Sequence, residues 1–346
     1  MKQHLRVLTL AAAAALAFTV PSHAQSDILL RLRSGSPLGD RFRVDSASGL
    51  VAKGSLGIGI IPISGEGERM MWHPYKAAFR VGSVGLGGTH WDDGNVGFYS
   101  FSAGYNTIAS QIGTFSGGYQ ATARAPYAVS FGHTANADGT GAMAFGYRAT
   151  ADADYSLALG QRASTNGHAG AIVIADGSTT DSIEASANHQ FSVRAAGGYR
   201  LFTNATTTTG VSLNAGGSSW NVISDRNRKH GFSTVDGEEL LGRLRMVPVT
   251  TWRYQDEVDR TVRHIGPMAQ DWQRAFGFSA DGTTINMSDF DGVNLAAIQA
   301  LATRTEHLQA ENAGLRAENA EMRAQNRALE ERLQRVEALL ERFAKP

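Results

Sequence analysis

The chain contains no cysteine. That excludes a disulfide scaffold, a thiol nucleophile, an iron–sulfur cluster and a Cys-ligated zinc site. Neither sign of charge is in excess: 32 Lys+Arg balance 32 Asp+Glu in 346 residues. Without a basic block there is no electrostatic footprint for nucleic acid. After the N-terminal segment, no apolar run approaches the roughly 20 residues of a membrane-spanning helix. The 10 His residues, among them the scattered His230, His264 and His307, show no compact metal spacing. Gly57-x-Gly59 is too little for a phosphate-binding loop, so no cofactor and no metal are expected. Asp152/Asp154 and Asp289/Asp291 lie in Gly-rich surroundings, where paired carboxylates usually form turns.

What is present is unevenly distributed. Residues 101–200 hold only 11 charged residues and no Lys, whereas residues 224–346 hold 36 in 123. Two kinds of architecture are therefore expected, joined near residue 220. Met1–Ala24 reads as a secretory signal peptide. Lys2 and Arg6 form a basic start, Val7–Val20 an apolar stretch, and Ser22-His23-Ala24 a cleavage site before Gln25. An exported chain without cysteine must be stabilised by something other than disulfides, and association of chains is the obvious means.

The body is repetitive. Gly104, Gly118, Gly132, Gly146 and Gly160 recur every 14 residues, within Phe-Ser-Ala-Gly-Tyr, Phe-Ser-Gly-Gly-Tyr, Val-Ser-Phe-Gly-His, Met-Ala-Phe-Gly-Tyr and Leu-Ala-Leu-Gly-Gln. Small residues follow at fixed offsets: Thr107/Ala109, Ala121/Ala123, Ala135/Ala137, Ala149/Ala151 and Ala163/Thr165. Alternation suits strands, and a unit this short holds two strands and two tight turns. No unit can bury a core alone, but stacked coils can. This pattern resembles the head of trimeric autotransporter adhesins. The resemblance implies a left-handed parallel β-roll with three chains side by side, and it is taken for the roll alone.

At the composition boundary the chain reads Ile223-Ser224-Asp225-Arg226-Asn227-Arg228-Lys229-His230. A Ser and a Lys five apart can form a nucleophile–base pair, though such a loop is more often a turn or a cap. Ser-Asp-x-x-x-Lys also resembles the opening of the intramolecular chaperone domain of phage endosialidases and tail fibres, a self-cleaving peptidase family. Further matches follow in order: Leu240-Leu241-x-x-Leu244, then Val247–Tyr254, then His264-Ile265-Gly266-Pro267-Met268-Ala269-Gln270-Asp271, then Asp291–Leu301. The combination is similar to secreted bacterial tail-fibre-domain proteins. The resemblance implies that the domain helps an upstream fibre trimerise and then severs itself. Ser224 would be the nucleophile, Lys229 the general base, Ile223–Ser224 the scissile bond and Asp225 a loop-orienting residue. His264 stands at the family's His/Tyr position, catalytic or structural. His230-Gly231-Phe232 departs from the usual polar-Asn/Asp-Ile after the Lys.

From Leu295 onward the apolar residues follow a heptad. One seam position carries Ile298, Thr305, Asn312, Asn319, Asn326, Leu333 and Leu340; the other carries Leu301, Leu308, Leu315, Met322, Leu329, Val336 and Phe343. These are the a and d positions of a coiled coil. In a parallel register Glu311 faces Arg316, Glu318 faces Arg323, and Arg332 faces Glu337. Leu at d with Asn at a favours two strands, while both resemblances favour three; the expectation is a homotrimer.

The sequence thus divides into a signal peptide (1–24), a β-rich cap or attachment region (25–100), β-roll repeats (101–177), a β-rich neck (178–223), a small α+β chaperone domain (224–300) and a coiled coil (301–346). The expected product is an exported, cell-surface or secreted trimeric fibre, adhesin-like, whose partner is itself, with a surface glycan or host receptor left open. It has no membrane span once the signal is removed. Alternatives are a fibre with an uncleaved, inert chaperone domain, and a tailspike-like glycan hydrolase.

Overall fold

A computed structural model describes residues 28–34, 39–46, 49–278 and 281–343. The expected signal peptide and its cleavage site lie outside the described residues. The chain forms two compact units, one comprising residues up to 199 with 213–218, the other 200–212 with 219–346.

The first unit begins with a small antiparallel sheet of Ile28–Ser34, Gly39–Asp45 and Leu50–Ala52. It then winds into a β-solenoid of the kind the repeat predicts. One face is a nine-stranded sheet. Phe101–Tyr105, Phe115–Tyr119, Val129–His133, Met143–Tyr147 and Leu157–Gln161 pair in parallel, with their five repeat glycines side by side. Ile172–Ala175 and Phe191–Arg194 extend this sheet at one end, and Ala78–Val84 with antiparallel Gly67–His73 at the other. The opposite face is a six-stranded sheet of two-residue strands, from Ile108–Ala109 to Ile183–Glu184.

Between the sheets there is room only for methyl and hydroxyl groups. The ten small residues that follow the glycines, from Thr107 to Thr165, all have 0% exposure. They meet Ser102, Ser116, Ser130, Ala144 and Ala158, which point inward from the long strands and are equally buried. The buried hydroxyls are paired: Ser102 Oγ lies 2.8 Å from Ser116 Oγ, and Ser130 Oγ donates to the Ala135 carbonyl at 2.8 Å. An unpaired hydroxyl there would cost roughly 1–3 kcal/mol.

The glycines are demanded twice over. Their φ angles run from +104° to +135°. A Cβ on any of them would also sit 2.0–2.3 Å from a backbone oxygen of the next coil. Gly82 obeys the same rule, at φ +128° with Gly104 O 2.2 Å from its would-be Cβ. It escaped the sequence pattern because 22 residues, not 14, separate it from Gly104. Arg80 closes this end of the roll. Its buried guanidinium donates to the carbonyls of Phe79, Ser100 and Ala109 and to Ser100 Oγ, and burial lowers its pKa to about 10.

In the second unit, α1 (Gly237–Leu244), α2 (Ala269–Phe276) and the start of α3 (Met287–Phe343) enclose Leu240, Leu241, Val247, Trp272, Phe276, Val293 and Ala297. Asp236 caps α1 through the Glu238 and Glu239 amides, and Gly277 ends α2 in the left-handed region. Thr250–Trp252 and His264–Gly266 pair as a two-stranded antiparallel sheet. α3 is one unbroken helix of 57 residues. Its first turns belong to the domain core, and the rest carries the heptad seam.

Two predictions follow from glycine geometry and one carboxylate. Gly132→Ala places a methyl against backbone in a positive-φ site and lowers stability by about 2 kcal/mol or more. Gly314→Ala, in open space on α3, raises it by up to about 1 kcal/mol; thermal unfolding reads both signs. Asp176 accepts from the Ala196 amide, the Ser178 hydroxyl and Arg194, which hold its pKa at about 2. A depressed folded pKa stabilises above the unfolded value of about 3.9 and is lost as pH falls through the folded one. Asp176→Asn therefore flattens the acid-unfolding profile between about pH 4 and pH 2.

Candidate active site

Ile223 directly follows a short strand. Asn221–Val222 pairs antiparallel with Val211 and Ser212, and the Ile223 amide donates to the Gly210 carbonyl at 3.2 Å. The carbonyl side of the Ile223–Ser224 bond is thereby tied to a sheet. The chain then enters a single 3₁₀ turn, Arg226–Arg228. Asp225 caps it, its Oδ1 accepting the Asn227 amide at 2.9 Å, and Arg228 Nε lies 3.9 Å from its other oxygen. The Lys229 amide closes the turn onto the Arg226 carbonyl.

This reversal brings the two ends of the motif together. Lys229 Nζ donates to Ser224 Oγ at 2.6 Å. Beyond it, the Arg226 guanidinium lies 5.1 Å over the Phe232 ring, and Gly231 takes φ +70° with open space around it. Residues 219–236 are exposed in the single chain, the dyad included.

His264 sits elsewhere in its own network. Its Nε2 lies 2.9 Å from Glu257 Oε1, and its ring stacks on Trp252 at 4.7 Å and tilts toward Tyr254. Among the described residues, no hydrogen bond or ion pair links it to Ser224, Asp225 or Lys229. Glu257 escaped the sequence reading because a carboxylate seven residues before a histidine, across a loop, carries no spacing signal.

A groove of about 590 Å³ is lined by Val235, Leu240, Phe276, Phe278 and Val293, and one of about 700 Å³ by Trp252, Tyr254, Ile265 and Met268. Neither includes Ser224 or Lys229. Asp152 and Asp154 bind turns: Asp152 accepts from Thr165 Oγ1 and the Gly167 amide, Asp154 from the Thr140 amide. Among the described residues, no group of three or more His, Cys, Asp or Glu is placed to hold a metal ion.

Residues 224–280 match the family model for the chaperone of endosialidase, beginning on Ser224 itself. Residues 137–163 match two copies of the YadA head domain repeat, within the solenoid. No curated protein and no solved structure matches the chain. The two matched segments cover under half of the sequence. The chain is thus similar, in order, to an adhesin-head roll and to an endosialidase-type chaperone domain. Among the described residues, no helix is long and apolar enough to cross a membrane.

The turn itself is testable without any cleavage. Asp225→Ala frees the Asn227 amide and weakens the turn by about 1 kcal/mol, while Asp225→Asn keeps the acceptor. Amide exchange at Asn227 should rise in the first variant and not in the second.

Proposed function

We propose that the protein is an exported, surface-displayed or secreted homotrimeric fibre of adhesin type. Its chaperone domain drives assembly and then cuts the chain at Ile223–Ser224. The single observation that carries the assembly reading is the α3 seam. Leu301, Leu308, Leu315 and Met322 are 48–50% exposed, and Leu329, Leu333, Val336 and Leu340 more so. Among the described residues a stripe of this length has no partner, and further copies of the chain would bury it. The outward side of the nine-stranded sheet repeats the theme, with Phe115, Met143, Leu159 and Ile172 exposed. The head-type repeats favour three copies over two.

The Ser224–Lys229 contact supports the processing reading. With its amine neutral, Lys229 accepts the Ser224 hydroxyl proton as Oγ adds to the Ile223 carbonyl carbon. The Ile223–Ser224 C–N bond breaks, the proton passes to the departing amine, and an ester joins Ile223 to Ser224 Oγ. Water hydrolyses that ester, leaving one chain that ends at Ile223 and another that begins at Ser224. Nucleophile and carbonyl belong to one chain, so no binding cleft is needed and the effective concentration is high. Asp225 holds the turn that sets the dyad distance, and His264 with Glu257 stiffens the two-stranded sheet.

A second reading keeps the fibre and leaves the bond intact. Gly231 favours it, since an open left-handed glycine beside Lys229 loosens the approach. Native mass and denaturing gels of the mature protein separate the two. The expected result is a trimer whose chains yield a fragment of residues 224–346, lost in Ser224→Ala and Lys229→Ala. An uncut trimer supports the second reading, and a monomer or dimer overturns both.

A further inference from the structure

One turn of every coil, the turn that leads into each long strand, repeats with a period of two coils. Backbone hydrogen bonds define which residues are equivalent. The amides of Tyr99, Gly113, Tyr127, Gly141, Tyr155, Gly170 and His189 each donate to the preceding coil, to the carbonyls of Lys76, Phe98, Ile112, Pro126, Thr140, Asp154 and Ala169. Each acceptor precedes the equivalent residue of the previous coil, which makes Ala77 the first of the series. All eight residues have φ between +48° and +66°. In order they alternate: Ala77, Tyr99, Gly113, Tyr127, Gly141, Tyr155, Gly170, His189. A small residue and an aromatic one take turns.

The alternation has a steric cause. The backbone tolerates a side chain here, since three Tyr and one His adopt the conformation. The glycines are needed because an aromatic ring lies over them. A Cβ on Gly113 would come 2.9 Å from the Tyr127 ring, one on Gly141 3.2 Å from the Tyr155 ring, and one on Gly170 2.3 Å from His189 Nδ1. Each ring leans back across one coil and covers it. Room for the next ring returns only two coils later.

The rings are also open to solvent. Tyr99, Tyr127 and Tyr155 are 51%, 59% and 75% exposed. One side of the Tyr127 and Tyr155 rings is against a glycine turn, which leaves the other free. This differs from the Tyr105–Tyr119–His133–Tyr147 column on the strands, whose rings stack on one another at 4.8–5.1 Å and so hide their faces. Coils in a parallel sheet lie about 4.8 Å apart, so successive open rings lie about 10 Å apart. Beside them are Phe98, Ile112 and Pro126. Asp154 alone among the residues immediately before an aromatic member is charged, and it is tied to the Thr140 amide. Lysine is absent from residues 101–200.

We propose that the row Tyr99–Tyr127–Tyr155 is a binding platform for an extended, neutral, β-linked polysaccharide. An equatorially linked pyranose chain is straight and presents the same sugar face at every second ring, a repeat of the same order as two coils. The axial C–H bonds of that face carry partial positive charge and suit the negative face of a tyrosine ring. The charges in these turns are engaged by the protein itself, Arg124 with Asp138 and Asp152 and Asp154 with turn groups, which suits a neutral glycan better than an anionic one. The straight, evenly spaced row excludes a helical α-linked glucan, which curves away after a few sugars. This inference rests on the fibre reading, because it needs the roll displayed outside the cell.

The test uses the full mature chain, depleted from solution by microcrystalline cellulose and by insoluble chitin, with starch granules as the α-linked control. Native mass is measured on the same samples. The expected result is depletion by a β-linked glycan and not by starch. Tyr127→Ala and Tyr155→Ala should each weaken binding roughly tenfold, while Tyr155→Phe retains it. Circular dichroism checks that each variant keeps the wild-type β signal. Failure of both β-linked glycans to deplete the folded wild-type protein overturns the proposal, as does binding that the alanine variants leave unchanged. Dissociation of the assembly in the alanine variants also overturns it, since the row would then be a contact between copies. If the wild-type chain binds glycan as a monomer, the fibre reading fails and the platform stands.

Discussion

Everything in the first unit depends on how close two coils of backbone must come. Parallel strands lie about 4.8 Å apart, and a coil of this length leaves a very thin space between its two faces. That space excludes anything larger than Val, Thr or Ser and admits mainly alanine, as the 0% exposure of Ala121, Ala123, Ala135, Ala137, Ala149 and Ala151 shows. Each methyl group removes little apolar area from water, on the order of 1 kcal/mol per buried carbon. Stability therefore comes from repetition and from backbone bonds passed from coil to coil. A single side chain at a repeat glycine would break that chain of bonds, whereas a changed residue on the outer surface would not.

A body with so little interior must place its larger side chains outside. Phe, Met, Leu and Ile alternate with the buried Ser and Ala along the long strands, and ring pairs such as Phe101–Phe115 and Phe131–Phe145 stack along the outer surface. The apolar surface that an ordinary domain would enclose is offered to other molecules instead. The same logic governs the second unit. Val293 and Ala297 in α3 complete the core with Trp272, while the residues from Leu301 onward meet no core. One unbroken helix therefore carries both the last part of the small domain's core and the exposed heptad seam, so ordering its first turns also favours order in the seam.

The sequence showed the repeat because its constraint falls on one residue type at a constant interval. Gly82 obeys the same constraint and was invisible, since the long connection before Gly104 breaks the interval without altering the stacking. The two-coil alternation of Ala77 through His189 was hidden for a different reason. Aromatic, glycine and alanine residues look unrelated until backbone bonds place them at one turn. Around the dyad, the motif gave Ser224 and Lys229, and the capped turn explains how five residues of separation become a contact of 2.6 Å. His264, open in the sequence to a catalytic or a structural role, stacks on Trp252 and tilts toward Tyr254.

The chemistry at the junction and the architecture on either side answer one problem. A stacked roll has weak local cohesion: no coil holds together without its neighbours, and pairing between non-adjacent strands is slow to form and prone to error. In the proposed trimer, a helix that assembles quickly through local contacts would bring three chains into register before the rolls are complete. Once the rolls have locked, that assembly domain adds nothing to them. Under the proposed cut, its removal would convert an equilibrium between folded and unfolded fibre into a one-way trap, because the severed body would have lost the element that guided its folding. The proposed cut at Ile223–Ser224 would suit this, since the bond follows the strand Asn221–Val222 and directly precedes the first residue of the chaperone match. Under that proposal the strand Asn221–Val222 would remain on the N-terminal product and residues 224–346 would leave.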